Sequence, residues 1–415
     1  MSLRDAYKKI REEQFPENME IHFYDDPADK QVLTYKKVTW NIGGEEKGLR
    51  YGENPDQSAA LYRLEDGALA LGDVRYIQPG ESLVSDVALL QSGKHPGKIN
   101  LTDVESALQI LKYMNKKPTV VIIKHNNPSG VACRETLADA YQEAFMADCV
   151  AAFGGAAVLN RELDKETAER IISHYTEVVA APGFADGVLD ILSKKKNLRV
   201  MEIARMDRLQ EYASKQYLDF KGLMDGGIVL QNSFASKILS ASDFMKAEIT
   251  YKGQAYSIHR QPTEAEYNDL LFGWFVEAGV TSNSVIYVKN GATVGIGTGE
   301  QDRVGVARIA RDKAYEKYKE RLAFEQYECP FGQITDVEHQ KEIEYKVSKE
   351  RGGLKGAAMI SDAFFPFRDG IDVGLKEGVT AVAQPGGSLR DYESIEACNE
   401  HNAAMVFTGQ RSFRH

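Results

Sequence analysis

Cysteine is scarce in this chain. Only Cys133, Cys149, Cys329 and Cys398 occur among 415 residues, and no two stand in C-x-x-C spacing. Neither a disulfide framework nor a zinc site is indicated, and a reducing cytoplasm fits such usage. Long hydrophobic runs are missing as well: TVVIIK and MADCVAAFGGAAVL fall well short of the about 20 residues that a membrane helix needs. The N-terminal stretch MSLRDAYKKIREEQFPEN alternates charges as a short amphipathic helix would, and it has no apolar segment of the kind a signal peptide carries. Nothing in it directs export or places the chain in a membrane. Positive charge is in deficit, with 51 Lys and Arg against 61 Asp and Glu and a formal net charge of −10. This argues against a broad nucleic-acid face, which needs clustered cations, and leaves room for a local basic pocket around one small anion. Low-complexity tracts, the P-loop G-x-x-x-x-G-K-[ST] and the dinucleotide fingerprint G-x-G-x-x-G are also absent.

What remains is an ordinary globular composition, 43% apolar and 27% charged, long enough for two or three domains. Residues 1–49 are polar and read as a leader packed on the body, with a strand pair expected around residues 21–24 and 32–39. From about residue 100 the pattern alternates. A helix is expected in LTDVESALQILKYMNKK, where Leu101, Val104, Leu108 and Leu111 share a face, followed by the strand TVVIIK, a loop, a helix in ETLADAYQEAFMAD and an apolar run into FGG. The lysine-rich LSKKKNLRVMEIARMDRL breaks the pattern near residue 200, and residues 201–250 read as a less regular connecting segment. The theme then returns with a helix in EAEYNDLLFGWFVEAG and the strands SVIYVK and ATVGIG around an Asn-Gly turn. The long helix VGVARIARDKAYEKYKERL and late strands in VTAVAQPGGS and AAMVF follow. Two α/β units of similar size are expected, residues 50–200 and 251–415.

Several stretches carry chemistry. IIKHNNPSG sets Lys124 and His125 side by side between a β-branched run and an Asn-Pro turn. GIGTGEQDR offers glycines between a strand and a helix, an arrangement that either cradles an anion on freed backbone N–H groups or simply makes a tight turn. Arg303 just beyond it adds a phosphate-type donor. SDAFFPFRDG packs three phenylalanines around a proline with Asp362, Arg368 and Asp369 interleaved, which suits an aromatic pocket for a flat ring better than a core segment. RYGENPDQ is a polar turn with an Arg-Tyr pair. TGQRSFRH ends the sequence on Arg411, Arg414 and His415, held near the body by the AAMVF strand that precedes it.

Taken with KINLTD, LNRELD, APGF, ILSKKKN, SNSVIYVKNG and QPGGS, these motifs stand in the order found in one family. The chain resembles the formyltransferase half of the bifunctional 5-aminoimidazole-4-carboxamide ribonucleotide (AICAR) transformylase/IMP cyclohydrolases, from about Arg50 to His415. Those bifunctional proteins carry a cyclohydrolase domain of nearly two hundred residues ahead of the Arg-Tyr-Gly motif, where this sequence has 49. The resemblance therefore implies a stand-alone transformylase, with ring closure left to a separate IMP cyclohydrolase.

The implied reaction passes the formyl group of 10-formyltetrahydrofolate, a co-substrate, to the 5-amino group of AICAR, with no catalytic metal. An amine conjugated through an imidazole ring to a carboxamide is a poor nucleophile and must shed a proton as it attacks. A base that titrates near neutrality is needed, and histidine is that residue. His125 matches the family's essential histidine and is expected to accept the proton, with Lys124 helping to handle the proton or the developing oxyanion. Asn283 matches the catalytic asparagine, an uncharged amide suited to orienting the amine or donating to the formyl oxygen. The same carry-over puts Arg50, Tyr51, Asn100, Gly154, Glu177, Arg303, Phe364, Arg411 and His415 at the nucleotide. It puts Pro366, Asp369, Gln384, Pro385 and Gly386 at the folate. Asp56, Ser129 and Ser412 depart from the family pattern, and the carboxylate of Asp56 would repel a phosphate.

The implied fold is a pair of cytidine-deaminase-like α/β subdomains forming an intertwined homodimer, with sites drawn from both chains. Two other readings compete. A zinc nucleobase deaminase would need H-x-E with a later P-C-x-x-C, and neither occurs. A non-catalytic nucleotide-binding relative would have no use for Lys124, His125 and Asn283 together.

Overall fold

TVVIIK forms the strand Thr119–Lys124, buried at five of its six positions. A β-branched run that is apolar on both faces belongs inside a sheet covered by helices. The computed structural model describes residues 14–71, 74–75 and 77–415. The amphipathic helix expected at the N-terminus falls largely on residues 1–13, outside the described residues. The strand pair expected after it is present as Asn18–Phe23 and Gln31–Lys37, antiparallel with Ile21 opposite Leu33.

The chain divides into two compact units. One combines the described residues up to Leu108 with Gly154–Ala235, and the other combines Gln109–Phe153 with Ser236–His415. These boundaries differ from the 50, 200 and 250 read along the sequence, because contact density joins stretches that sequence order separates.

By element order, one arrangement occurs twice. A helix (Lys98–Leu111, then Glu264–Glu277) leads into a hairpin (Thr119–Lys124 with Asn127–Cys133, then Val285–Lys289 with Ala292–Gly297) and a second helix (Leu137–Ala147, then Arg303–Tyr327). Three parallel strands joined by helices follow. They are Ala156–Leu159, Val178–Ala181 and Arg199–Glu202 in the first unit, and Ala358–Ser361, Ala381–Gln384 and Ala404–Phe407 in the second. Each set ends on an antiparallel edge strand, Ala88–Gln91 and Met245–Lys246 respectively. The three strands of the second set are buried at all four positions each, the pattern expected of parallel strands with helices on both faces. Tyr287, Phe365, Ile395 and Met405 lie in the core of that unit.

Both hairpins turn on two residues with positive φ, the type I′ geometry that matches strand twist. In one the pair is Asn290 and Gly291, a combination that adopts it readily; in the other it is His125 at 53° and Asn126 at 63°. The strand ATVGIG packs directly on the helix Arg303–Tyr327. A Cβ at Gly295 would stand 2.3 Å from the Ala310 carbonyl oxygen, and one at Gly297 would stand 2.3 Å from that of Val306. These glycines serve close helix packing. The helix N-terminus beyond them is already capped by Asp302, which accepts from Gly305 N at 2.6 Å. No helix among the described residues is long and apolar enough to cross a membrane.

Candidate active site

Lys124 closes its strand half-buried, and its Nζ donates to the Phe153 carbonyl at 3.1 Å. His125 follows at the first turn position, exposed, in a left-handed conformation that costs a non-glycine residue about 1–2 kcal/mol. The turn is anchored by Asn127, whose Oδ1 accepts from Thr281 N at 2.9 Å and from Thr298 Oγ1 at 3.0 Å. Lys124 and His125 open on a recess of about 250 Å³ shared with Asp148, Lys313 and Lys317.

Thr281 is two residues from Asn283, which follows a cis Ser282–Asn283 peptide. The Asn283 amide is fixed from two sides: Nδ2 donates to the Gln301 carbonyl at 3.0 Å, and Arg303 Nη2 donates to Oδ1 at 2.8 Å. One of its two amide N–H bonds is left uncommitted among the described residues. Arg303 is 8% exposed and also donates to Asp362, to Ser361 Oγ at 3.1 Å and to the Ser284 carbonyl at 3.1 Å. Asp362, with no exposed surface, accepts from Ser282 Oγ at 2.6 Å. Arg303 is thus a buried strut beneath Asn283 that reaches the cavity wall. Behind it stands Glu277, fully buried at the end of its helix, where Oε2 accepts from Ser284 Oγ at 2.5 Å and Oε1 has no partner. Burial, reinforced by the Asp362 carboxylate, pushes the Glu277 carboxyl well above its ordinary range.

Asn283 and Arg303 border a cavity of about 960 Å³, at the upper end of the range for ligand pockets. Phe364, Pro366, Pro385, Gly386 and Arg411 border it too. The Arg411 guanidinium lies 4.7 Å from the Phe413 ring centre, and Phe413 meets His415 edge-on at 5.7 Å. The terminal segment is held down by main-chain bonds from Ser412 N to the Asp362 carbonyl and from Ser282 N to the Arg414 carbonyl, both 2.9 Å. Gln384, expected at the folate, is fully buried. Its Oε1 accepts from Phe365 N at 2.7 Å and its Nε2 donates to Asp391 at 3.1 Å, while Asp391 in turn accepts from Gly387 N and Ser388 N. It shapes the Pro385–Gly386 loop from behind. Asp369 opens the helix Asp369–Leu375 and accepts from Gly370 N at 2.9 Å, outside the residues bordering the cavity.

Arg50, Tyr51, Asn100, Gly154 and Glu177 belong to the first unit. Arg50 is 7% exposed and stacks on the Tyr51 ring at 5.1 Å. Asn100 Oδ1 accepts from Gly97 N at 3.1 Å, fixing the turn that follows His95 and Pro96. Gly154 takes a φ of 70° and donates to the Tyr175 carbonyl at 2.7 Å. Tyr175 OH in turn donates to Glu177 at 3.4 Å. Two buried residues that the sequence did not single out stand with them, His95 and Arg199. Glu277 and Asn127 were likewise missed. A lone histidine in SGKHPG and an arginine in a lysine-rich stretch read as solvated surface, and only burial distinguishes them.

A profile of the AICARFT/IMPCHase bienzyme family matches residues 13–313. The bifunctional purine biosynthesis protein PurH of Chlorobaculum parvum is 38% identical over 372 residues, covering 89% of this chain and 59% of that protein. The PurH proteins of Pelodictyon phaeoclathratiforme and Chlorobium phaeobacteroides are 40% and 38% identical, and the chain spans 61% and 59% of their lengths. The chain belongs to the AICARFT/IMPCHase bienzyme family.

Proposed function

We propose that this chain transfers the formyl group of 10-formyltetrahydrofolate to the 5-amino group of AICAR, giving formyl-AICAR and tetrahydrofolate. The observation that carries the reading is Asn283, fixed on two sides at the wall of a large aromatic cavity, in a chain of this family. The amine nitrogen attacks the formyl carbon, the C–N10 bond of the folate breaks, and the proton leaving the amine passes to His125 while N10 regains one. The free N–H of Asn283 orients the amine or donates to the formyl oxygen. Preorganisation of this kind lowers the barrier without demanding movement during the reaction. Phe364 and the Pro385–Gly386 loop offer flat apolar surface to the folate, and the Arg50–Tyr51 region receives the nucleotide.

We further propose a homodimer in the cytoplasm, built on two cytidine-deaminase-like subdomains, with sites completed across chains. Lys124 and His125 open on a recess distinct from the Asn283 cavity of the same chain, which favours a site that needs a second copy. The hairpin Leu218–Gly222 with Ile228–Asn232 supports this too. It exposes Phe220, Leu223, Ile228, Val229 and Leu230, and an isolated two-stranded hairpin with apolar faces in water is marginal. Light scattering together with an assay of AICAR-dependent tetrahydrofolate formation tests both points. An active monomer removes the shared site, and a dimer without turnover on these two substrates removes the reaction.

A further inference from the structure

Two strands from different hairpins of the second unit meet once and then part. Asn127–Cys133 and Ala292–Gly297 pair at Ala132 opposite Ala292, where Thr293 Oγ1 also accepts from Val131 N at 3.1 Å. Beyond that point the recess opens between them, with Pro128 and Ser129 on one side and Val294, Gly295 and Ile296 on the other. The first hairpin is weakly determined at this end. Its turn has no glycine although His125 and Asn126 both take positive φ, Pro128 supplies no N–H, and the register slips between Pro128 and Gly130. One side chain closes the gap. Asn127 Oδ1 accepts from Thr281 N at 2.9 Å and lies 3.0 Å from Thr298 Oγ1, whose single proton it shares with the Thr281 carbonyl at 2.8 Å. That carbonyl also accepts from Gly299 N at 3.0 Å, and farther along Asn283 N donates to the Glu300 carbonyl at 3.3 Å. The segment carrying Asn283 therefore lies along residues 298–301, and Asn127 fastens the start of that pairing to the turn carrying His125.

We infer that Asn127 is a positioning residue, a clasp by which one amide oxygen sets both the His125 turn and the Asn283 loop of its chain. The inference rests on the formyl transfer proposed above. An uncharged acceptor suits the place: the amide oxygen has two lone pairs, enough for a backbone N–H and a hydroxyl, and it brings no charge beside Lys124 and His125. In sites completed across chains, His125 and Asn283 of one chain face different substrates, so the clasp bears on both sites of a dimer.

The test compares the full chain with Asn127→Leu, Asn127→Asp and Thr298→Val, measuring kcat, the KM for AICAR and hydrogen exchange of the Thr281 amide by mass spectrometry with residue-level fragmentation. Asn127→Leu keeps the volume and loses the acceptor. Its kcat should fall about 10- to 100-fold with the KM for AICAR within about 3-fold of wild type, and Thr281 should exchange about 10-fold faster or more. Asn127→Asp keeps acceptor oxygens and should recover most of both. Thr298→Val leaves the bond from Thr281 N in place, so its kcat should fall only about 2- to 10-fold. Leucine subunits mixed with Lys124→Ala or Arg411→Ala subunits should restore activity to neither, since the one complete site of each heterodimer draws an element from the leucine chain. Wild-type kcat in a folded Asn127→Leu protein overturns the inference, as does a lost kcat with unchanged Thr281 exchange, or restored activity in either mixture. If the leucine variant fails to fold, Thr298→Val decides, and wild-type kcat there overturns it as well. A wild-type protein inert toward AICAR and the formyl donor, with Thr281 exchange still governed by Asn127, would keep the clasp and remove the proposed reaction.

Discussion

Arg303 donates to the Asn283 side-chain oxygen at 2.8 Å while its other terminal nitrogen is held by Asp362. The orientation of the Asn283 amide therefore depends on a buried ion pair and not on Asn283 alone. Replacing Arg303 with Ala would strand the Asp362 carboxylate in the core, so the informative change is Arg303→Lys, which keeps a cation near Asp362 and loses the fork. Turnover should fall about 10-fold or more in a protein that still folds, with kcat affected more than the KM for AICAR. Unchanged kcat would remove Arg303 from the positioning of Asn283.

His125→Ala should reduce the chemical step by about two orders of magnitude or more while AICAR still binds, the usual consequence of losing a general base. Single-turnover kinetics with a parallel binding titration separate the two effects. Near-normal turnover would leave the proton without its proposed acceptor.

Glu277 gives the fold a pH dependence of defined sign. Its carboxyl is raised well above the ordinary value of 4.5, chiefly by burial. Below that value the group is protonated folded or unfolded. Above it the unfolded chain loses the proton and the folded one keeps it, so the unfolded state gains and stability declines as pH rises toward the folded value. Glu277→Gln removes this decline. The difference in melting temperature, variant minus wild type, should grow between about pH 5 and pH 8. A flat difference across that range would show that Glu277 binds no more protons in the fold than in the unfolded chain.

Subunit mixing addresses the shared site. Lys124→Ala and Arg411→Ala homodimers should each be nearly inactive, and after co-refolding the mixture should recover a part of wild-type activity if the two side chains reach one site from different chains. Failure to recover any activity, with heterodimers demonstrated by mass spectrometry, would put both residues in the same chain's site.

Much of the secondary structure was legible because its signals are local. TVVIIK, the Asn290–Gly291 hairpin and the late strands in VTAVAQ and AAMVF each announce themselves by β-branched or buried runs closed by turn residues. Lys124, His125 and Asn283 were picked out through motifs, and their catalytic roles stand as proposals. The division into units was not, since it joins Gln109–Phe153 to Ser236–His415 through contacts that leave no mark on either segment. Nor was the duty of Gln384, whose place in QPGGS suggests a ligand contact while its burial gives it to Phe365 and Asp391. Arg199 shows the same limit most plainly: in a lysine-rich stretch a buried cation and a solvated one are the same letter.

The central claim is tested most directly by mixing purified protein with AICAR and 10-formyltetrahydrofolate and following tetrahydrofolate by absorbance, with the ribonucleotide product identified by mass. The account predicts tetrahydrofolate and formyl-AICAR in equal amounts, dependent on both substrates and abolished in the Asn283→Ala variant. Tetrahydrofolate formed at the same rate without AICAR, or no turnover from the folded wild-type protein, would contradict it.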